Sequence, residues 1–194
     1  MSNSSYHHGD LKNALIEAGI EMINEVGEEK LSLRKVAARC GVSNAAPYAH
    51  FSGKEEMIEE MQNYVTEKFM DSLKSAASQC ENPYSEESVL KIGRAYILFF
   101  LQNPQYFSFL FAQPCMKAHL SLDDDGKDDF PPYQYFKEVL LEYDKYNEQN
   151  LTKDEQEIQI IHLWATVHGI SAIATMKNVT WDKKWEEQLQ ILLR

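Results

Sequence analysis

The chain has 194 residues, 44% of them hydrophobic and 25% charged, with a formal net charge of −11. That balance reads as one or two globular domains with a real core. No apolar run approaches the roughly 18 residues of a membrane span, and the opening MSNSSYHHGDLK lacks a signal-peptide core. Cys40, Cys80 and Cys115 are too scattered for a disulfide framework or a zinc site, so the expectation is a cytoplasmic protein with no membrane partner, no metal and no cofactor.

In chain order, residues 11–26 place Leu11, Leu15, Ile16, Gly19, Met22, Ile23 and Val26 at the three/four spacing of an amphipathic helix. Asp10 is placed to cap its start and Gly27 to end it. Ser32 caps a second, short helix with Leu33, Val36, Ala37 and Cys40 on one face. Gly41 is a turn residue, Val42 an anchor, and Ser43 caps a third helix, Asn44 to His50. Pro47 falls in its first turn, where a missing N–H costs little. Phe51 closes this unit. Ser52 and Glu55 have capping-box spacing and open a long fourth helix to about Ala77. Its buried stripe is Met57, Ile58, Met61, Val65, Phe69 and Leu73, and at ~1.5 Å per residue it spans roughly 35–40 Å.

Asn82-Pro83 breaks the chain before a helix at 86–102, and Asn103-Pro104 starts another to about Phe111. Residues 115–131 read as an acidic loop. A helix follows Pro131-Pro132. Thr152 and Glu155 make a second capping box, opening a helix to about Lys177, and residues 182–193 form the last. With no strand-like alternation, the expected class is all-α, with about nine helices. An N-terminal three-helix domain (1–53) is joined by the long fourth helix to a C-terminal helical domain (54–194).

The second and third helices have the layout of a helix-turn-helix, whose recognition helix puts its first residues near base edges in the major groove. Asn44 can pair with an adenine edge or a phosphate. Ala45 and Ala46 keep the approach close and can touch a thymine methyl. Ser43 stands at a helix N-terminus, which suits phosphate. Tyr48 and His50 can bond phosphates, and Lys54 can grip the backbone. Ser32, Arg34, Lys35 and Arg39 are candidates on the second helix. The net charge argues at first against nucleic acid. However, residues 1–54 hold six Lys/Arg and six Asp/Glu, while 55–194 hold 13 and 24. The excess acid therefore lies outside the N-terminal quarter, and DNA binding needs a basic face rather than a basic total. On spacing alone, three small helices with exposed polar residues would look the same.

The run LSLRKVAARCGVSNAAPYAHFSGKEEMI, residues 31–58, resembles the helix-turn-helix of the tetracycline-repressor (TetR) family. Gly41, Val42, Ser43, Tyr48, His50, Phe51, Lys54 and Glu55 carry the match. The YHHGDLK opening and Ala-Ala-Pro-Tyr at 45–48 are similar to one branch of that family. The resemblance implies a homodimer that binds a palindromic DNA operator, with a C-terminal domain for effector binding and dimerisation.

In that C-terminal domain, residues 96–111 hold seven aromatic residues. Among them, Tyr96, Phe99, Phe100, Phe107 and Phe111 can line an apolar pocket for an unknown small molecule, or simply form a core. The segment LWATVHGISAI, residues 163–173, is similar to a Trp-x-x-x-His-Gly signature of the same branch through Trp164, His168 and Gly169. Trp164 and His168 join the pocket candidates, although His168 reads as a buried, hydrogen-bonded histidine more readily than as a ligand. Ala165, Gly169 and Ala172 are small residues along one side of their helix, and Trp185, Leu189 and Leu192 form a stripe on the last. In the family such helices pack as a four-helix bundle between subunits, putting the recognition helices about 34–36 Å apart. The other reading is that both stripes complete a monomer core.

Asp123, Asp125 and Gly126 hint at a calcium loop, but Pro132 stands where a bidentate Glu is required. Cys40 and Cys115 read as small buried hydrophobes. No G-x-S-x-G, HExxH or P-loop is present, so no enzyme is expected. The function expected is a DNA-binding regulator, a repressor released by a small molecule; a helical adaptor is the alternative.

Overall fold

A computed structural model describes residues 8–112, 116–123, 127 and 129–193. Among them the chain forms eight α-helices and no strand: α1 (His8–Val26), α2 (Leu33–Arg39), α3 (Lys54–Ala77), α4 (Glu86–Gln102), α5 (Pro104–Ala112), α6 (Pro131–Tyr146), α7 (Lys153–Thr175) and α8 (Trp185–Leu192). Two short 3-10 turns, Glu28–Lys30 and Ala46–Ala49, complete the helical content. The first seven residues, Cys115, Asp125, Gly126 and the Asp10 side chain lie outside the described set, so the readings placed on them have no structural counterpart here. The helical class read from periodicity is the class observed.

α3 is the spine. Its heptad-like stripe of Met57, Met61, Val65, Phe69 and Leu73 is almost fully buried. α1 lays Leu15, Ile16 and Ile20 on the first turns of this stripe. Gly19 sets that approach, because a Cβ there would overlap the end of Met61. α4 packs along the other end, with Tyr96, Phe99 and Phe100 against Phe69 and with Ile92 and Ile97 buried in the same core. α7 crosses α4 at Gly93, whose missing Cβ would lie 3.4 Å from Val167. Burial of this many apolar side chains, at about 1.5–3 kcal/mol each, is what holds the helices against the entropy of ordering them.

The local start signals are mostly honoured. Ser85 accepts a hydrogen bond from the Ser88 N–H at 3.2 Å and opens α4. Thr152 and Glu155 form the reciprocal box that opens α7. The expected box at Ser52 and Glu55 is not formed. Gly53 caps α3 instead, and it is the Glu56 carboxylate that accepts from the Ser52 N–H, at 2.5 Å. Shifting the cap by one residue moves the reaching glutamate by one as well.

α7 also corrects the reading that no segment is apolar enough to span a membrane. By length and composition it qualifies, with a mean hydropathy of 1.2 over 18 residues, yet only 17% of that window is buried. One face packs on α4, and a second face stays open.

Candidate DNA interface and effector cavity

The turn between α2 and the following 3-10 segment is built by the backbone. Gly41 has φ 69°, a left-handed conformation that glycine reaches without a Cβ penalty. The chain then doubles back so that the Val42 N–H donates to the Ala37 carbonyl at 3.0 Å. Pro47 and Phe51 are buried under the turn and fix it to the core.

The recognition segment is not the helix expected over Asn44 to His50. It is a tight turn followed by a 3-10 segment at Ala46–Ala49. The Ala46, Tyr48 and His50 N–H groups each donate to a carbonyl three residues back. Pro47 supplies the reason: it has no N–H to give the Ser43 carbonyl, so the four-residue ladder cannot start.

The expected side chains sort into two groups. Arg34, Lys35, Ser43, Asn44, Ala45 and Tyr48 are exposed; Ser32, Ala46, His50 and Lys54 are half-buried. Ser32 is engaged as the α2 cap, accepting from the Lys35 N–H at 3.4 Å. The Lys35 ammonium rests on the Lys30 carbonyl at 2.9 Å. Arg39 faces the other way. Its guanidinium grips Glu25 through both arms at 2.7 Å and also reaches Glu21 at 3.0 Å, tying α2 to α1. The Cys40 thiol is pushed up in pKa by burial and sits 3.6 Å from the Ala14 carbonyl, as a packing residue.

In the body, the aromatic candidates divide between core and cavity. Phe99 and Phe100 stack on Phe69, with ring centres 5.0 and 4.7 Å away, and are core. Tyr96 is buried, and its hydroxyl lies 3.1 Å from His168 Nδ1. Phe107 and Phe111 flank the His168 ring at 5.1 and 4.6 Å. An apolar cavity of about 320 Å³ is lined by Phe111, Met116, Leu120, Ile161, Trp164, Ala165 and His168. Burial lowers the His168 pKa and pushes that of Tyr96 well up, because it disfavours the charged form of each.

The dimer candidates are also divided. Ala165 is exposed, and Gly169 and Ala172 are half-buried. A Cβ on Gly169 would meet nothing within 4 Å. On α8, Trp185 packs on Trp181 at 4.5 Å, and Leu192 is exposed. Leu189 is corrected: it is fully buried within the protomer and has no surface to offer a partner. Ile191, also on α8, is exposed with Leu192.

One cluster escaped the sequence reading. The Glu17 carboxylate on α1 accepts from the Tyr64 hydroxyl of α3 at 2.7 Å and from the Tyr106 hydroxyl of α5. Asn24 adds a 2.9 Å bond to the Gln105 carbonyl. Partners 47 and 89 residues apart leave no local signal.

Two family sequence models match. One, described as bacterial regulatory proteins of the tetR family, covers residues 15–61. The other, a tetracyclin repressor-like C-terminal domain, covers residues 89–194, more than half of the chain. The chain belongs to the TetR family. Among its relatives, the class G tetracycline repressor of Vibrio anguillarum is 40% identical over 50 residues, 26% of this chain and 24% of that one. The chain thus spans about a quarter of the length of the curated TetR-family relatives it matches. The fatty acid degradation regulator FadR of Bacillus halodurans has the same fold, with a TM-score of 0.70 at 14% identity over 100% of this chain and 95% of that one. AibR, solved with isovaleryl coenzyme A and operator DNA, superposes with a TM-score of 0.65 at 16% identity, covering 93% and 95%. At these identities the likeness is one of fold.

Proposed function

We propose that this TetR-family chain is a DNA-binding transcriptional regulator, a repressor that leaves its operator when a small molecule enters the C-terminal body. The observation that carries the reading is the exposed polar edge from Ser43 to Tyr48, held by a rigid turn directly ahead of the long helix α3. Asn44, Ala45 and Ala46 read base edges. Ser43, Tyr48, His50 and Lys54 hold phosphates, with Ser32, Arg34 and Lys35 along the flank. The division into a reading unit at 1–53 and an effector and dimerisation unit at 54–194 is part of this proposal.

The working form is a homodimer on a palindromic operator. The open face of α7, with Ile158, Ile161, Ala165 and Ile173 exposed, supports a second copy as its cover, joined by Ile191 and Leu192 of α8. This use of an apolar helix face also explains α7 without a membrane, and operator binding would keep the protein in the cytoplasm. Effector binding changes the separation of the two reading edges, and affinity falls when the ligand prefers the wrong separation.

The test is fluorescence anisotropy of the full chain on the DNA upstream of its own gene, at two salt concentrations, against a scrambled duplex. Preference for the native duplex is expected. Equal, weak and salt-sensitive binding to both would overturn the assignment of that promoter as its target.

A further inference from the structure

We propose that Glu17 and Tyr106 are positioning residues, whose hydrogen bond latches the DNA-reading unit to α5 and sets the tilt at which the edge from Ser43 to Tyr48 is presented. The proposal rests on the DNA-binding reading above and adds the residues that aim the edge.

Two turns of α1 face the start of α5. Glu17 and Asn24 are seven residues apart, so they lie on one side of α1. The hydroxyl of the buried Tyr106 donates to the Glu17 carboxylate, and the Asn24 amide donates to the Gln105 carbonyl at 2.9 Å. The Lys68 ammonium stands 3.7 Å from the same carboxylate oxygen and 4.5 Å from the centre of the Tyr64 ring. Hydrogen bonds to a charged acceptor are the stronger kind. They are also directional, whereas the apolar packing of α1 on α3 is not and does not by itself fix the roll of α1.

From this latch the tilt passes to the edge through α1 and α2. Arg39 of α2 is held by Glu21 and Glu25 of α1, and the Val42 N–H closes the turn on the Ala37 carbonyl. In the other direction, α5 lays Phe107 and Phe111 against the His168 ring, so the reading unit is referenced to a wall of the effector body. The Glu17 oxygen also supplies a matched control. Tyr64 of α3 donates, at 2.7 Å, to the same oxygen that Tyr106 uses. Removing either hydroxyl costs the same kind of bond. The Tyr64 bond stays between α1 and α3, however, and the Tyr106 bond reaches α5.

Pulsed electron–electron resonance measures the tilt inside one chain. Spin labels go on Lys30→Cys, exposed ahead of α2, and Tyr146→Cys, exposed at the end of α6, in the full chain carrying Cys40→Ala, Cys80→Ser and Cys115→Ser. Dilution with unlabelled protein leaves only distances within a chain. Tyr106→Phe and Asn24→Ala should each broaden the distance distribution or move its mean. Tyr64→Phe should superimpose on the parent, although both tyrosine variants lose a similar amount of thermal stability. A merely structural bond would treat the two tyrosines alike. In the promoter anisotropy assay, Tyr106→Phe should bind about three- to tenfold more weakly as the aligned fraction falls, with Tyr64→Phe within about twofold of the parent. Distributions for Tyr106→Phe and Asn24→Ala that both superimpose on the parent, an equal change in Tyr64→Phe, or a moved distance with unchanged promoter affinity would each overturn the proposal. Moved distances in a chain that binds no DNA sink the regulator reading alone, and DNA binding with unmoved distances sinks the latch alone.

Discussion

Tyr48 is 54% exposed on the edge of the turn, while Arg39, nine residues earlier, has its guanidinium occupied by two glutamates of α1. The difference sets what each contributes. Tyr48→Ala and Lys54→Ala should weaken operator binding with the helical content unchanged by circular dichroism. Lys54→Ala should also reduce the salt slope by about one, if it holds a phosphate. Arg39→Ala should instead lower the melting temperature and leave the salt slope alone. Asp144, on α6, makes a different kind of test. Burial raises its pKa, and amide hydrogen bonds from Gln159 and Gln156 offset this only in part. A carboxyl whose folded pKa is raised favours the native state when protonated. That stability is present below the unfolded pKa and is lost as pH rises through the folded one. Asp144→Asn should therefore raise the melting temperature at pH 7, with the gain shrinking as the pH falls toward the ordinary aspartate range; calorimetry at three pH values measures it.

At the scale of elements, the sequence was legible where one short signal acts alone. Thr152 and Glu155 announced the start of α7, and Pro131-Pro132 that of α6, because capping and proline geometry are local. Thr152→Ala should cost about 1 kcal/mol in chemical denaturation, with the loss confined to the α7 cap. Where two signals competed, the reading failed. At Ser52-Gly53-Lys54 the serine looked like the cap, but the chain placed Gly53 there and used Glu56. At Pro47 the position suits a first turn, but the segment is too short to propagate past the missing N–H. In the candidate site, the exposed edge from Ser43 to Tyr48 could be placed by spacing. The split of the aromatic run into core (Phe99, Phe100) and cavity wall (Phe111) could not, because it depends on where Phe69, 30 residues away, enters from α3.

On the scale of the whole molecule, the open face of α7 is the feature with the clearest quantitative test. Gly169→Leu adds a side chain where the protomer has nothing within 4 Å of the new Cβ, and leucine is a better helix former than glycine by up to roughly 1 kcal/mol. The protomer should fold as before, and sedimentation velocity should show a dimer at least tenfold weaker. An unchanged mass distribution would remove this face from the subunit contact. The Glu17 cluster has a consequence for how the chain is made. Its two far partners join α1 to residues 81 and 89 positions later. At about 5–20 residues per second, a ribosome takes roughly 4–18 s to travel from Glu17 to Tyr106. For that interval the newborn helix-turn-helix has no α5 against Glu17 and Asn24, which leaves that face of α1 open to chaperones until the aromatic body emerges.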